Sequence, residues 1–374
     1  MKKKLLFIQV LWTPYNHARF KAIAEECGNW DLHVFYQNPG SSYRKWDEKE
    51  KPGSYHALFL KNVGIPLRAN QAYTLNINYT IYFELIKCRP DRVIISGWDS
   101  PATLVALSYC KLNRKEIILY SDSTVHEKSL PRLFFKPYVK KLIRQFDGFI
   151  SGGTAASDYL KDLGATKRID PFYNTVDVDY FMKEGRLRKN RIREVKSRWS
   201  IGPDSKVLMF SGRLVSIKHI DRLIGAYKKI RKERQDLHLI VVGYGPEIEK
   251  LKQIARGLPD VHFLGHQAVN EIPSLYAMAD VLVLPSIEEP WGLVVNEAMA
   301  CRCAVVVSDR CGCSRDLISG NGVVFEGGNQ EALTEALRFV LRSDAELEAM
   351  KEKSLEIICR FRPQDLVKHV SFFH

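Results

Sequence analysis

The chain has 374 residues, 45% of them hydrophobic and 26% charged, with a formal net charge of +13. That length forms about two domains, each able to bury its own core, and the ordinary globular composition argues against a disordered or fibrous chain. No stretch approaches the roughly 20 apolar residues of a membrane-spanning helix, so a cytoplasmic protein is expected. The positive excess calls for an anionic partner or surface, but no nucleic-acid recognition motif accompanies it, and no nucleic acid is expected.

In chain order, Met1-Lys-Lys-Lys-Leu-Leu-Phe-Ile-Gln-Val-Leu-Trp12 lacks a small-residue cleavage site and reads as a first buried strand rather than a signal peptide. Leu5–Leu11, Leu32–Tyr36, Val93–Ser96, Ile117–Ser121 and Gly148–Ser151 read as strands. Ala18–Cys27, Tyr79–Cys88, Ala102–Leu112 and Arg132–Gln145 show helical periodicity. Such alternation predicts a parallel sheet covered by helices on both faces. Residues 37–76 fit neither period. After a helix over Thr154–Leu163, the chain becomes very basic from Lys183 to Trp199 and turns at Gly202-Pro203-Asp204; the linker is placed near there. The second half repeats the alternation, with strands at Val207–Ser211, Leu239–Val242, Val281–Leu284, Ala304–Ser308 and Val323–Phe325 and an amphipathic helix at Asp221–Glu233. Two similar domains in tandem are expected to form a cleft, with ligands at the carboxyl ends of their strands.

Pro285-Ser-Ile-Glu-Glu-Pro-Trp-Gly-Leu-Val-Val-Asn-Glu-Ala-Met-Ala300 carries the chemistry. It reads as strand, polar loop and helix, with Glu289 in the loop and Glu297 one turn into the helix. Backbone N–H groups at a helix N-terminus bind anions, so Gly292, Leu293 and Val294 suit a diphosphate, while glutamates on either side accept hydrogen bonds from hydroxyls. A nucleotide sugar has that layout. Upstream, Ser211-Gly212-Arg213-Leu-Val-Ser-Ile-Lys218 places a guanidinium and an ammonium on a glycine-containing loop, both suited to phosphate oxygens.

These motifs, in this order over residues 200–330, resemble the retaining GT-B glycosyltransferases with the Glu-x7-Glu signature, glycosyltransferase family 4 (glycosyl transferases group 1). The resemblance implies two Rossmann-like doubly wound domains: residues 1–172 for the acceptor, a linker at 173–200, residues 201–360 for the nucleotide sugar, and a helix at 361–374 crossing back. It assigns donor-sugar hydroxyls to Glu289, the ribose to Glu297, and the diphosphate to Arg213 and Lys218 beside Gly212. Val241-Val242-Gly243-Tyr244-Gly245 resembles the family's loop near the nucleotide, and backbone groups around Leu264 are expected to read the base, uracil by analogy. The family chemistry is same-face displacement with retention and no enzymatic nucleophile. Asp177-Val-Asp179 has the form of a metal-binding pair but falls in the presumed linker, so neither a metal nor another cofactor is expected.

The acceptor side is less specific. Asp122 and His126, in Ser121-Asp-Ser-Thr-Val-His126, follow a strand and are candidates to orient the acceptor hydroxyl; Asn16 and Arg19 lie in the loop and helix after the first strand, which lacks the family's paired glycines. A glycan or lipid-linked acceptor is expected, and residues 130–146, with five basic residues and no acidic ones, suit either an anionic membrane surface or packing on a sheet with a solvated basic face. Membrane contact would place the enzyme on the inner face of the plasma membrane. Cys301, Cys303, Cys311 and Cys313 read as small buried residues. After Cys301 the chain has Arg302 and Ala304 where the family pattern has glycine and proline. A nucleotide-sugar epimerase or phosphorylase of the same fold, or a catalytically silent binding protein, remains the alternative.

Overall fold

The structure, a computed structural model, describes residues 2–38, 53–66, 74–127, 136–187 and 189–374. It divides into two compact units, Met1–Asn174 with Pro363–His374, and Thr175–Arg362.

The first unit contains β1 (Lys3–Leu11), β2 (Trp30–Asn38), β3 (His56–Phe59), β4 (Val63–Pro66), β5 (Thr74–Ile77), β6 (Arg92–Ser96), β7 (Glu116–Ser121), β8 (Gly148–Ser151) and β9 (Ile169–Pro171). Seven form one sheet in the order β3-β2-β1-β6-β7-β8-β9, parallel throughout. Its central strands are apolar on consecutive residues because both faces are covered: Val93–Ile95 and Ile117–Leu119 have no exposed surface. The stretch 37–76 contributes the edge strand β3 and the antiparallel pair β4–β5. These are four-residue strands, too short for periodicity to announce.

The expected terminal helix is instead a short helix, Pro363–Val367, and a 3-10 turn, Ser371–Phe373. The break lets Phe372 and Phe373 turn inward: Phe373 is buried, its carbonyl accepts from Trp30 Nε1 at 2.9 Å, and the Phe372 ring occupies the space a side chain at Gly148 would fill. Of the basic stretch, residues 130–135 lie outside the described residues. In the helix Lys136–Ile143, Val139, Leu142 and Ile143 are buried while Tyr138 and Lys141 are exposed.

The second unit contains β10 (Lys206–Ser211), β11 (Leu237–Val242), β12 (Val261–Gly265), β13 (Val281–Leu284), β14 (Ala304–Ser308) and β15 (Gly322–Phe325). They form a parallel sheet in the order β12-β11-β10-β13-β14-β15. Residues expected as a linker are helical, Val178–Leu187 and Lys189–Arg198, and belong to this unit. The first of them packs on the helices Ile272–Met278 and Leu293–Ala300, with Phe181 edge-on to Tyr276. Its start also accounts for Asp177 and Asp179: one caps the Tyr180 N–H at 2.9 Å, and the other pairs with Arg362 at 2.7 Å.

Candidate active site

The strand order of the second unit reverses between β10 and β13. Loops leaving the carboxyl ends of such neighbours diverge, and the crevice they leave is where open parallel sheets bind ligands. The loop after β10 tightens into a 3-10 turn, Ser216–Lys218, ended by His219 in the left-handed region at φ 48°. The loop after β13 is hydrogen-bonded to that turn, Ile287 N–H donating to Ile217 O at 2.9 Å. Lys218 and Glu289 are thereby opposed, and the ammonium donates to Glu289 Oε2. Their side chains are 12% and 18% exposed, so the pair is largely but not wholly removed from solvent. Arg213, on the same loop, is exposed, with no ion pair among the described residues.

Three residues past Glu289, Gly292 takes φ 101° and starts the helix Leu293–Ala300, headed by Leu293 and Val294. Glycine is required twice here. A side chain at Gly292 would be strained and would meet Leu284, and a Cβ at Gly312 would fall 1.8 Å from Pro290 O. Gly312 N–H donates to Glu289 O at 3.0 Å and Cys313 N–H to Trp291 O at 3.2 Å, so the loop after β14 braces the loop bearing Glu289.

Glu297 has a different setting. The helix carrying it is buried from Val295 to Ala300, and Glu297 itself is 4% exposed. Oε2 accepts from the buried Tyr276 hydroxyl at 2.7 Å. The Glu-x7-Glu spacing thus yields one partly exposed carboxylate paired to a lysine and one buried carboxylate held by a phenol.

Gly243 and Gly245 are dictated by backbone approach. At Gly243, φ is 131° and a Cβ would sit 1.8 Å from Gly212 O; at Gly245 it would sit 2.3 Å from Leu214 O. Without side chains the loops after β10 and β11 lie together, with Gly212 N–H donating to Val242 O and Leu214 N–H to Tyr244 O. Beside them opens a largely apolar cavity of about 550 Å³, lined by Gly243, Tyr244, Gly245, Ile248, Phe263 and Gly265 among others. The Leu264 carbonyl at its edge accepts from Gln267 Nε2 at 2.7 Å. Phe263, assigned no role above, and Tyr244, half exposed, supply aromatic walls.

In the first unit the order reverses between β1 and β6. The loop after β1 is fixed by Thr13, which caps the Asn16 N–H at 3.0 Å, while Asn16 Nδ2 donates to Leu11 O at 3.3 Å. The loop after β6 presents Gly97, Trp98 and Asp99; strand order, which the sequence does not display, marks these residues above Asp122 and His126, which follow β7. Asp122 is exposed and packs close to Gly152, and His126 is half-buried in a turn. Arg19 is 6% exposed. Its guanidinium lies between the Tyr120 and Phe172 rings, at 4.7 and 4.5 Å, and donates to Tyr120 Oη at 3.1 Å and Asn174 Oδ1 at 3.2 Å. Burial pushes the Tyr120 phenol up to about 12 against the lowering charge of Arg19, so the phenol stays protonated and donates to Asn174 Oδ1 at 2.7 Å.

Cys301, Cys303, Cys311 and Cys313 are all buried, and burial raises each thiol, Cys301, Cys311 and Cys313 well above the ordinary value. Buried, protonated thiols of this kind are poor nucleophiles.

Residues 191–356 match the sequence family described as "Glycosyl transferases group 1". Among curated proteins the chain is 40% identical over 120 residues to an uncharacterized glycosyltransferase of Methanocaldococcus jannaschii, covering 31% of this chain and 30% of that one. It is 31% identical over 205 residues to the GDP-mannose-dependent alpha-(1-6)-phosphatidylinositol monomannoside mannosyltransferase of Mycolicibacterium smegmatis, covering 52% of each. These matches span about half or less of the relatives' own length. Among solved structures, Anabaena HepE in complex with UDP superposes with a TM-score of 0.73 at 17% identity, covering 98% of this chain and 97% of that one, a likeness of fold.

Proposed function

We propose that this chain, whose residues 191–356 match the group 1 glycosyl transferases and which has the GT-B fold of two Rossmann-like parallel-sheet domains, transfers a sugar from a nucleoside diphosphate sugar to a hydroxyl acceptor, with retention and without a required metal. The observation that carries this reading is the Lys218–Glu289 pair where the strand order reverses.

A diphosphate at the start of the Leu293–Ala300 helix meets free backbone N–H groups and the ammonium of Lys218, with the exposed Arg213 closing from the same loop. As the bond from the sugar to the phosphate breaks, negative charge grows on the leaving nucleoside diphosphate, and these fixed positive groups stabilise it more than they stabilise the ground state. That is the work a metal does in other transferases, so the two cations make a metal unnecessary. Glu289, turned toward the same space by its loop, accepts hydrogen bonds from donor-sugar hydroxyls. The departing phosphate oxygen takes the acceptor's proton on the face where the acceptor attacks. A glycosidase-like double displacement needs two carboxylates beside one bond; the burial of Glu297 under Tyr276 favours one carboxylate at the sugar and the other toward the ribose.

The cavity at Gly243–Gly245 and Phe263 suits the base, stacked on an aromatic wall. Uridine is our assignment, supported by the UDP complex of Anabaena HepE; the GDP-mannose dependence of the M. smegmatis relative makes guanosine the competitor. In the first unit, Asp122, His126 and Asn16 serve the acceptor, and Arg19 acts as a positioning residue through Tyr120 and Asn174. A lipid-linked or surface glycan acceptor agrees with the phosphatidylinositol mannoside in that relative's name. Tyr138, Lys141 and Arg144, exposed on one basic helix and its continuation, suit contact with an anionic bilayer.

Thermal stabilisation by UDP, GDP, ADP, dTDP and CMP, each with and without EDTA, tests the donor half. A shift with UDP that EDTA leaves intact is expected. No shift with any nucleotide overturns the reading, and a selective shift with GDP reassigns the base.

A further inference from the structure

Asp31, His33 and His56 form a cluster that the transfer reaction does not use. Asp31 and His33 are two apart on β2 and so point to the same face, and His33 is the register partner of His56 on the neighbouring edge strand β3. The two imidazoles stack with ring centroids 4.7 Å apart. Both present Nε2 to one carboxylate: His33 Nε2 lies 3.0 Å from Asp31 Oδ2, and His56 Nε2 lies 3.3 Å from Asp31 Oδ1. The three donor atoms fall within 4.8 Å of one another.

We propose that Asp31, His33 and His56 bind a divalent transition-metal ion, zinc by its chemistry, which clamps the edge strand β3 onto β2. Ligands about 2.0–2.1 Å from a tetrahedral ion are about 3.3 Å from each other, and the two nitrogen-to-carboxylate distances, 3.0 and 3.3 Å, are already of that size. Two imidazoles with a carboxylate select zinc over magnesium or calcium, which take oxygen ligands. A cavity of about 400 Å³ lined by Lys2, Lys4, Trp30, Asp31 and Ser54, with Ala24 and Leu32, opens beside the carboxylate and gives room for a water as fourth ligand. Lys4, the register partner of Asp31 on β1, donates its ammonium to Cys88 O at 3.1 Å. The cluster sits near the amino end of β2, at the edge of the sheet away from the loops assigned to the acceptor, so its role is to hold the strand and not to meet substrate. Clamping matters most for β3, which is four residues long and, among the described residues, pairs on one side only.

The test is calorimetric titration of the full-length, chelator-stripped protein with zinc chloride, with magnesium chloride as control and cobalt(II) absorption reporting geometry. One equivalent of zinc, tetrahedral cobalt bands and no magnesium heat are expected. His56→Ala, at a side chain 69% exposed, and His33→Ala are each expected to weaken zinc roughly tenfold or more. His262→Ala leaves it unchanged; that residue stacks on His238 in the other unit. Wild-type affinity in His56→Ala overturns the site and leaves a carboxylate hydrogen-bonded to two imidazoles. Loss of binding in His262→Ala, equal binding of magnesium, or no stoichiometric binding also overturns it. Circular dichroism of His56→Ala in EDTA is expected to match wild type.

Discussion

Replacing Glu289 by glutamine keeps the shape of the side chain and removes its charge, leaving the Lys218 ammonium facing a neutral amide. The cost lies between two regimes. Hydrogen bonds to charged groups inside proteins contribute about 1.5–3 kcal/mol, and exposed ion pairs about 0.2–1 kcal/mol. With the two side chains 12% and 18% exposed, the pair belongs toward the buried end but keeps some solvent screening, so a coupling of about 1–2 kcal/mol is expected. For a unit the size of Thr175–Arg362 this corresponds to a melting shift of roughly 2–8 °C. A double-mutant cycle with Lys218→Met isolates the coupling from the separate effects of each change. The functional signature differs in sign between steps. Glu289→Gln frees Lys218 for the diphosphate and removes a negative charge near it, so UDP binds as well as to wild type or better, while sugar transfer, which depends on Glu289 positioning the donor sugar, falls by on the order of a hundredfold. Wild-type turnover in this variant would refute the role of Glu289, and a coupling below about 0.3 kcal/mol would refute the ion pair.

Glu297→Ala strips the Tyr276 hydroxyl of its acceptor and is expected to cost about 1–3 kcal/mol of stability as well as UDP affinity, whereas Glu297→Gln restores stability but not affinity; urea denaturation and calorimetry separate the two. Gly243→Ala drives a Cβ into Gly212 O at a backbone angle that disfavours side chains, so a loss of about 1–3 kcal/mol together with weakened UDP binding is expected. Arg302 sits at φ 68°, so Arg302→Gly is expected to be more stable than Arg302→Ala by about 1 kcal/mol; equal melting temperatures would deny the left-handed turn. His219, His238 and His262 are each held below their ordinary value, burial being the first cause. The unfolded chain therefore binds more protons than the folded one as pH falls below about 6.5, and stability drops by up to about 1.4 kcal/mol per pH unit per histidine. His262→Gln makes the dependence shallower between pH 7 and 5, and an unchanged slope would contradict the assignment.

Much of the fold was legible because both sheets are parallel and doubly covered. Their central strands are uninterrupted apolar runs such as Val281–Leu284 and Ala304–Ser308, and their helices announce themselves by a 3.6-residue period, as in Ile220–Glu233. The stretch at 37–76 was opaque because β3, β4 and β5 have four residues each and take their place from pairing with other strands. The helices at 178–198 were hidden behind charge: Lys189–Arg198 is so basic that its composition resembles a linker. The Glu289 loop was legible as strand, loop and helix, yet the Lys218–Glu289 contact spans 71 positions and depends on β10 and β13 being neighbours, which no local pattern states. Burial of Arg19 was hidden for the same reason, since Tyr120 and Asn174 are its partners at separations of 101 and 155 residues.

The departure at Arg302 shows how a sequence signal can weaken while the geometry it stands for persists. The family pattern has glycine where the chain leaves the Leu293–Ala300 helix for β14, and glycine suits a left-handed turn because it has no Cβ to clash with the preceding carbonyl. Arginine in the same conformation costs about 1–2 kcal/mol. Its side chain offsets part of that cost: Nε donates to Glu352 at 2.7 Å and Nη2 to Glu348 at 2.8 Å, both on the helix Asp344–Ile358. Half-exposed pairs contribute about 0.2–1 kcal/mol each, enough for the strain to be tolerated. The turn delivers the chain into β14, whose following loop carries Gly312 against Pro290 and so fixes Glu289. Preserving that path matters more to the site than the identity of the residue that turns it, which is why a missing glycine here leaves the arrangement of Glu289, Lys218 and the helix start intact.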